Sequence, residues 1–156
     1  MYNLRLAQLD ELKYLSDLDN KSNLTPWSYN HYYNSYLNDN NFIYVFELKQ
    51  NQEIYACCVL AKLIDELEIL QLWVNINYQG LGIGGIFLKE IIQLFCKESC
   101  IERIFLELRE NNLLAQKFYV NNGFKIIGKR KRYYKVDNIY IDAILMMNNL
   151  KEFMGV

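Results

Sequence analysis

The chain has 156 residues, 52% of them hydrophobic and 15% aromatic, which excludes intrinsic disorder and predicts a single domain over residues 1–156. No uncharged apolar run is long enough to span a bilayer, and the N-terminus lacks the basic start and apolar centre of a signal peptide, so we expect a cytoplasmic protein that does not contact a membrane. The net charge of −1 is unevenly spread, because residues 125–135 carry only cations.

Hydrophobic periodicity predicts eleven elements in the order β-α-α-β-β-β-α-β-α-β-β. The strands are expected at 2–7, 42–48, 53–64, 66–75, 102–109, 124–134 and 140–150, and the helices at 9–20, 27–37, 82–97 and 111–123. The β-α-β unit from 66 to 109 has the length and the buried helix of a right-handed parallel crossover, whereas the outer strands are expected to be antiparallel. The predicted fold class is therefore α/β (α+β), a mixed sheet with helices on both faces.

Cysteine and histidine restrict the possible chemistry. Cys57 and Cys58 are adjacent in a strand and must point to opposite faces, and Cys96 and Cys100 lie one helical turn apart without a second pair of ligands nearby. We expect four buried, reduced thiols and no metal site. The single histidine, His31, is interpreted as structural, so acid–base chemistry must come from carboxylates, tyrosines, lysines or water.

The basic segment, residues 125–135, has three possible interpretations. It can be a solvated edge strand in which lysines discourage aggregation, a surface for an acidic protein or peptide, or a contact for nucleic acid. We do not expect direct nucleic-acid binding.

Four glycines, Gly80, Gly82, Gly84 and Gly85, stand between a predicted strand and a predicted helix. Such a turn exposes several backbone N–H groups at the positive end of a helix dipole, and the missing side chains allow a ligand to approach closely. Phosphate or pyrophosphate is the ligand that this arrangement favours.

Three phosphate-binding patterns compete for this turn. The Walker A pattern fails because Gly84 is followed by Gly85 and Ile86, and the dinucleotide pattern fails because the glycine spacing is wrong. The pattern Gln/Arg-x-x-Gly-x-Gly/Ala fits from Gln79 to Gly84 at every defined position.

That last pattern resembles the pyrophosphate loop of the GNAT superfamily of N-acetyltransferases. A second motif of the family is similar to a stretch further along the chain, at Arg109, Asn112, Ala115, Phe118, Tyr119, Gly123 and Phe124. The stretches "TPWS", "GKRKRYY" and "DAILMM" resemble the RimI-type members, which acetylate the N-terminal alanine of a small-subunit ribosomal protein.

The resemblance implies a GNAT fold, with a mostly antiparallel sheet whose central parallel strands splay apart to hold acetyl-CoA as co-substrate, without a metal. The pantetheine arm would bind the backbone of the splayed strand, the pyrophosphate would bind the amides of the glycine turn, and Asn112 would reach the arm. The implied cofactor-binding residues are Leu72, Trp73, Val74, Gln79, Gly80, Leu81, Gly82, Ile83, Gly84, Gly85 and Asn112.

Two residues are implied to be catalytic. Glu107 is a charged residue in an otherwise apolar strand, and it would be the general base, directly or through water. The alternative is a carboxylate exposed at an edge or paired with Arg109. Tyr119 would protonate or hydrogen-bond the leaving CoA thiolate, and the alternative is an aromatic residue of the core.

Departures from the family pattern concern both substrates. Gly80 and Leu81 occupy positions that often carry arginine, and Trp73 replaces a small residue, where it would stack on the cofactor or narrow the acceptor side. Trp27 in the second helix, together with the pair Tyr133 and Tyr134, would shape the acceptor site or simply pack in the fold.

The expected function is acetyl transfer from acetyl-CoA to a protein or peptide N-terminal amine, most simply that of a ribosomal protein, by direct attack in a ternary complex. The alternatives are an acetyltransferase for another peptide or a small-molecule amine such as a polyamine, and a silent CoA-binding or ribosome-associated module.

Overall fold

The computed structural model describes residues 1–97 and 100–153, so residues 98, 99 and 154–156 of the predicted domain lie outside the described residues. The strands are β1 (Tyr2–Leu6), β2 (Asn41–Leu48), β3 (Ile54–Lys62), β4 (Glu66–Val74), β5 (Arg103–Arg109), β6 (Lys125–Val136) and β7 (Ile139–Asn149). The α-helices are α1 (Leu12–Ser22), α2 (Tyr29–Leu37), α3 (Ile83–Cys96), α4 (Leu113–Asn121) and α5 (Leu150–Phe153), and 3-10 turns occupy Leu9–Glu11 and Ile76–Tyr78.

The strands form one sheet in the order β1-β2-β3-β4-β5-β7-β6. Strands β4 and β5 are parallel, and the other neighbours are antiparallel, so the predicted mixed sheet with a central parallel pair is confirmed. The basic segment forms β6 at the edge of the sheet, which confirms its interpretation as an edge strand.

The predicted boundaries of the second helix and of the last strand differ from the observed ones. The second helix begins at Tyr29 rather than Trp27, because the Ser28 hydroxyl accepts the backbone N–H of His31 and caps the helix there. His31 also accepts from the Ser28 N–H, so its structural interpretation is confirmed. The last strand stops at Asn149, where the side chain accepts the Lys151 N–H and the short helix α5 follows.

A bulge in β4 breaks the central pair of strands. Val59 of β3 faces Gln71, but Leu60 faces Ile69, which leaves Leu70 as an extra residue. The bulge also reverses the alternation of side chains along β4, and the pairing of β4 with β5 ends at Ile69 opposite Leu106. Beyond that point the two strands have no ladder between them.

Helices cover both faces of the sheet, as predicted. On one face α3 buries the predicted stripe of Ile83, Phe87 and Ile91 in the larger core. On the other face α1 and α2 bury residues that include Leu15 and Tyr32.

The prediction of buried cysteines is confirmed for two of the four. Cys57 and Cys58 are fully buried, one in each core, as expected for adjacent strand residues. Cys96 is half-buried, and Cys100 is exposed in the segment that follows α3, so the prediction of four buried thiols is wrong for these two.

An ion cluster around Arg5 of β1, the edge strand opposite β6, leads to a prediction about the pH dependence of stability. The Nη2 atom of Arg5 lies 2.5 Å from Glu11 Oε1 and 3.0 Å from Glu47 Oε2, and hydrogen bonds from Arg5 hold the pKa of both carboxyls below the ordinary value. A lowered folded-state pKa contributes stability that is complete above the unfolded value of about 4.5 and is lost as the pH falls through the folded value. We expect Arg5→Met to lower the free energy of unfolding by about 1–2 kcal/mol at pH 7, and by less near pH 3, in urea titrations.

The exposed pair of Lys13 and Asp17, 2.9 Å apart on α1, offers a control. Lys13→Met should change the stability by no more than about 0.5 kcal/mol at either pH, because i,i+4 surface pairs contribute little. A loss for Arg5→Met that stays constant from pH 7 to pH 3 would contradict the assignment of the cluster.

Candidate active site

A cleft of about 640 Å³ opens where β4 and β5 separate. The bulge at Leu70 ends the strand pairing, and the walls beyond it are the end of β4, the end of β5, the start of α4 and the segment between α1 and α2. The lining includes Thr25, Trp27, Leu72, Val74, Glu107, Arg109, Asn112, Tyr119 and Tyr134. Predicted residues from distant parts of the chain therefore lie around one space.

The glycine turn borders a second space of about 370 Å³ next to this cleft. Gly80 and Gly82 both have φ of +80°, in the left-handed region that favours glycine. Gly82 is the N-cap of α3, and no side chain in the described part of the chain caps the helix there. The first-turn amides of α3 therefore remain available to an anion, as expected for a pyrophosphate site.

Of the other two glycines, Gly84 allows close packing and Gly85 does not require it. A Cβ atom on Gly84 would lie 3.2 Å from a ring carbon of Phe118 and 3.3 Å from a methyl carbon of Val74. Gly84 thus brings the start of α3 against β4 and α4. A Cβ atom on Gly85 would meet the Asn122 side chain at 3.4 Å, which is an ordinary contact.

Gln79 ties the glycine turn to the cleft wall. Its side-chain Nε2 donates to the carbonyl of Ser22 at 2.9 Å and to the carbonyl of Val74 at 2.9 Å. The side chain is therefore used within the protein, and the backbone amide is the part of Gln79 that fits a ligand-binding role. Leu81 is 68% exposed, and Ile83 buries its side chain in the core below the turn.

The strand predicted to bind pantetheine lies along the cleft, but Trp73 turns its side chain away. Leu72 and Val74 pack on the larger core side, whereas Trp73 belongs to the core under α1 and α2. The indole is 3% exposed, and its Nε1 donates to the Tyr32 hydroxyl at 2.7 Å. The bulge at Leu70 produces this orientation, and the bulk of Trp73 is accommodated in the core rather than against a cofactor.

Glu107 forms an ion pair, but not with Arg109, the partner considered as an alternative to its catalytic role. Its Oε1 lies 3.3 Å from Nη2 of Arg130 on the edge strand, and its side chain is 19% exposed. Nearby Glu68 has its pKa raised, first by burial and then by the negative charge of Glu107. The cleft wall thus holds a carboxylate whose position is set by a strand distant in sequence.

Arg109 instead lies over the ring of Tyr134, with 5.6 Å from the guanidinium carbon to the ring centroid. Burial, followed by the charge of Glu107, raises the pKa of Tyr134. Tyr134 lines the cleft, as considered for an acceptor-shaping residue, whereas Tyr133 is 53% exposed and lies outside the lining.

Tyr119 is buried between Phe118 and Phe124 and also lines the cleft. Removal from water raises the pKa of its phenol well above the ordinary value, so the hydroxyl stays protonated at physiological pH. A protonated phenol at the wall of a cleft can donate a proton or a hydrogen bond to a developing anion.

Asn112 is the N-cap of α4. Its Oδ1 accepts the backbone N–H of Ala115 at 3.2 Å, which leaves Nδ2 as the group that can donate into the cleft. At the other end of α4, Gly123 has φ of +93° and the Phe124 N–H donates to the Tyr119 carbonyl, so the predicted glycine cap is confirmed.

On one wall of the cleft the sequence interpretation identified Trp27 alone. Ser22, Asn23, Leu24 and Thr25 line it together with Trp27, which lies in the loop before α2 and not in the helix. Thr25 and Trp27 belong to the "TPWS" stretch, which is the single signal for this wall, and residues 22–24 before it carry no glycine pattern or charge pattern.

The described ranges, 1–97 and 100–153, offer neither a metal-type cluster nor a membrane-spanning helix. They contain no group of three or more His, Cys, Asp or Glu side chains placed to hold a metal ion. They also contain no helix with the length and apolar character needed to cross a membrane.

Comparison with known proteins gives one consistent result. The acetyltransferase (GNAT) family model matches residues 7–124. The ribosomal protein bS18-alanine N-acetyltransferase of Haemophilus influenzae is 31% identical over 125 residues, which cover 77% of this chain and 79% of that protein.

Solved structures show the same fold. The crystal structure of the ribosomal-protein-S18-alanine N-acetyltransferase from Escherichia coli has a TM-score of 0.84 at 21% identity, over 96% of this chain and 94% of that one. A chimera of the spermidine N-acetyltransferase SpeG from Vibrio cholerae and hSSAT has a TM-score of 0.86 at 16% identity, over 99% of each chain. At these identities the likeness shows the fold alone, and it confirms the fold class expected from the sequence.

Proposed function

The chain belongs to the GNAT family of acetyltransferases, which use acetyl-CoA as co-substrate, and we propose that it acetylates the N-terminal amine of a protein. The N-terminal alanine of a small-subunit ribosomal protein is the acceptor we propose, because relatives at 27% and 31% identity are named for that reaction. The observation that carries the proposal is the cleft between the separated β4 and β5, which joins the uncapped glycine turn to Glu107.

Acetyl-CoA would bind along the two adjoining spaces. The backbone amides from Gln79 to Gly85 would hold the pyrophosphate, since the helix dipole and the unpaired N–H groups of α3 favour an anion there. The backbone of residues 72–74 would pair with the pantetheine arm, and the free Nδ2 of Asn112 would donate to it. When bound, acetyl-CoA supplies a thioester carbonyl as the electrophile.

The proposed reaction needs one base and one acid. The carboxylate of Glu107 would take a proton from the ammonium, directly or through water, because an α-amine has a pKa near ~8 and arrives largely protonated. The neutral amine would then attack the thioester carbonyl, forming the C–N bond as the C–S bond breaks. The proton that the nitrogen loses as the amide forms would pass through water and balance the one that the departing thiolate receives. The phenol of Tyr119 would give its proton or a hydrogen bond to the departing thiolate, and no metal takes part.

The acceptor would enter from the side of Trp27 and Tyr134. Both line the cleft and come from the two flanking segments, the loop before α2 and the edge strand. A peptide N-terminus would lie between these aromatic residues with its amine directed at Glu107. We place this activity in the cytoplasm, without contact to membrane or nucleic acid.

Tyr119→Phe tests the proposed acid. We expect kcat to fall about 10- to 100-fold at every pH between 6 and 9, with little change in KM, because the phenol acts on the leaving thiolate and stays protonated over this range. Steady-state kinetics with release of free CoA as the signal would measure it. Tyr14→Phe, at a site 51% exposed on α1, should change nothing, and an unchanged kcat in Tyr119→Phe would remove this role.

Acceptor identity is tested by a direct comparison. Purified protein and acetyl-CoA are mixed with a peptide beginning Ala-Arg or with spermidine, and we expect the peptide alone to gain an acetyl group. Mass spectrometry of ribosomal proteins from cells with and without the gene should then show one protein that differs by the mass of an acetyl group, about 42 Da. Acetylation of spermidine but not of the peptide would favour a small-amine acetyltransferase.

A further inference from the structure

One wall of the cleft has no helix or strand to hold it. Residues 23–28, here called the acceptor loop, connect α1 to α2 and contribute Thr25 and Trp27 to the lining. The only regular backbone contacts of such a loop are at its ends, so side chains must fix its position. Ser16 Oγ donates to the Trp27 carbonyl at 3.1 Å, and the remaining contacts of the loop with other elements converge on one buried carboxylate.

That carboxylate is Asp19 in α1, which is fully buried. Its Oδ2 accepts the backbone N–H of Trp27 at 3.0 Å and the hydroxyl of Tyr32 at 2.5 Å. The Tyr32 oxygen in turn accepts the indole N–H of Trp73 at 2.7 Å. Asp19 therefore joins α1, α2, β4 and the acceptor loop.

Gln71 makes the second half of the connection. Its Nε2 donates to both carboxylate oxygens of Asp19, at 3.2 and 3.0 Å, and to the Thr25 carbonyl at 3.0 Å. Gln71 follows directly on the bulge residue Leu70, in the part of β4 that has left β5. One side chain of the separated strand thus bonds both Asp19 and the acceptor loop.

For stability alone, a buried carboxylate with these polar contacts is less favourable than apolar packing. Burial raises the pKa of Asp19, and three donor groups, two of them on side chains of the core, satisfy it with four hydrogen bonds. Apolar side chains of similar volume would fill the same space without the desolvation of a charge. What the polar contacts add is a defined distance between the acceptor loop and the separated part of β4.

We propose that Asp19, acting through Gln71 and the Trp27 backbone, is a positioning residue that sets the acceptor side of the cleft. This role rests on the proposed function, since it assigns the walls held by Asp19 to the acceptor. The pyrophosphate turn is held by Gln79 on Ser22 and Val74, and the backbone of residues 72–74 is held by its pairing with β3, so the affinity for acetyl-CoA should change little when Asp19 is replaced.

The experiment compares KM for the acceptor peptide with KM for acetyl-CoA in the variants Asp19→Asn and Gln71→Met. Each variant should raise KM for the acceptor peptide by about tenfold or more, the effect of losing one hydrogen bond to a charged group, with KM for acetyl-CoA changed less than twofold. The double variant should raise the acceptor KM by less than the product of the two single effects, because the hydrogen bonds between Asp19 and Gln71 are lost in either single variant.

Glu47→Gln is the matched control. Glu47 is a buried carboxylate, 6% exposed, that binds Asn3 and Arg5 on β1, away from the cleft. It should lose comparable stability in urea titrations without a change in either KM. An Asp19→Asn variant that loses stability but keeps the acceptor KM, or that raises both KM values equally, would overturn the proposal.

A readout that is independent of turnover separates this inference from the proposed function. Amide hydrogen exchange of residues 23–28 should be faster in Asp19→Asn and Gln71→Met than in the native protein and unchanged in Glu47→Gln. A native protein that acetylates no amine would overturn the proposed function, whereas unchanged exchange in the acceptor loop would overturn the role of Asp19.

Discussion

Replacement of Glu107 by glutamine is expected to lower kcat/KM for the acceptor by about 10²- to 10⁴-fold, the range for loss of a general base. Glutamine keeps the size of the side chain and can still contact Arg130, so the cleft wall should remain in place. The measurement is the initial rate of CoA release with a peptide acceptor at saturating acetyl-CoA.

The remaining activity of Glu107→Gln should have its own pH dependence. Without a base the reaction relies on amine that is already neutral. At pH values below the pKa of an α-amine, which is about 8, each increase of one pH unit raises the neutral fraction about tenfold. The rate of the variant should therefore increase more steeply than that of the native enzyme from pH 6 to pH 8.

Glu66→Gln is the control for loss of a carboxylate on the neighbouring strand. Glu66 pairs with Arg103 at 2.9 Å, at the end of β4 that remains paired with β5, and lies outside the cleft lining. Its substitution should leave kcat/KM within about twofold. If Glu107→Gln behaves in the same way, Glu107 is not the base.

The second large effect is expected at the start of α3. Gly82→Asp would place a carboxylate at the uncapped N-terminus where we propose that pyrophosphate binds, and there it would compete for the same amides and repel the ligand. We expect KM for acetyl-CoA to rise about 30-fold or more at low salt, with a smaller increase at high salt, because ions screen the repulsion.

Gly82→Asn separates charge from shape. Gly82 has φ of +80° with open space around a Cβ atom, and asparagine and aspartate tolerate this backbone region about equally. Any strain is therefore common to both variants, and only the aspartate adds charge. Equal KM values for acetyl-CoA in the two variants would contradict an anion site at this turn.

Local patterns were sufficient for much of the fold. The stripe of Ile83, Phe87 and Ile91 predicted helix α3, the glycine at 123 predicted the end of α4, and the β-α-β spacing predicted the parallel pair. These features depend on backbone conformation and on the side-chain period over a few residues, which the sequence contains directly.

Contacts between distant segments were not predictable in the same way. The sequence offers Arg109, close by in the same strand, as one alternative partner of Glu107, but the structure pairs Glu107 with Arg130 across the intervening β7. Two residues of one strand that share a face lie side by side, and the alignment of the neighbouring strands decides which cation comes closer.

The sequence by itself determined the residue types that we propose to bind and activate acetyl-CoA, namely the glycine turn, a carboxylate in an apolar strand and a tyrosine in the following helix. The tertiary structure alone decided how wide the cleft is and what stands on its acceptor side. A single extra residue at Leu70 separates β4 from β5 and turns Trp73 into the core. Asp19 and Gln71, which are 52 residues apart along the chain, then join two walls of the cleft. A bulge and a long-range hydrogen bond depend on which strands and helices come together, so neither leaves a periodic signal in the sequence.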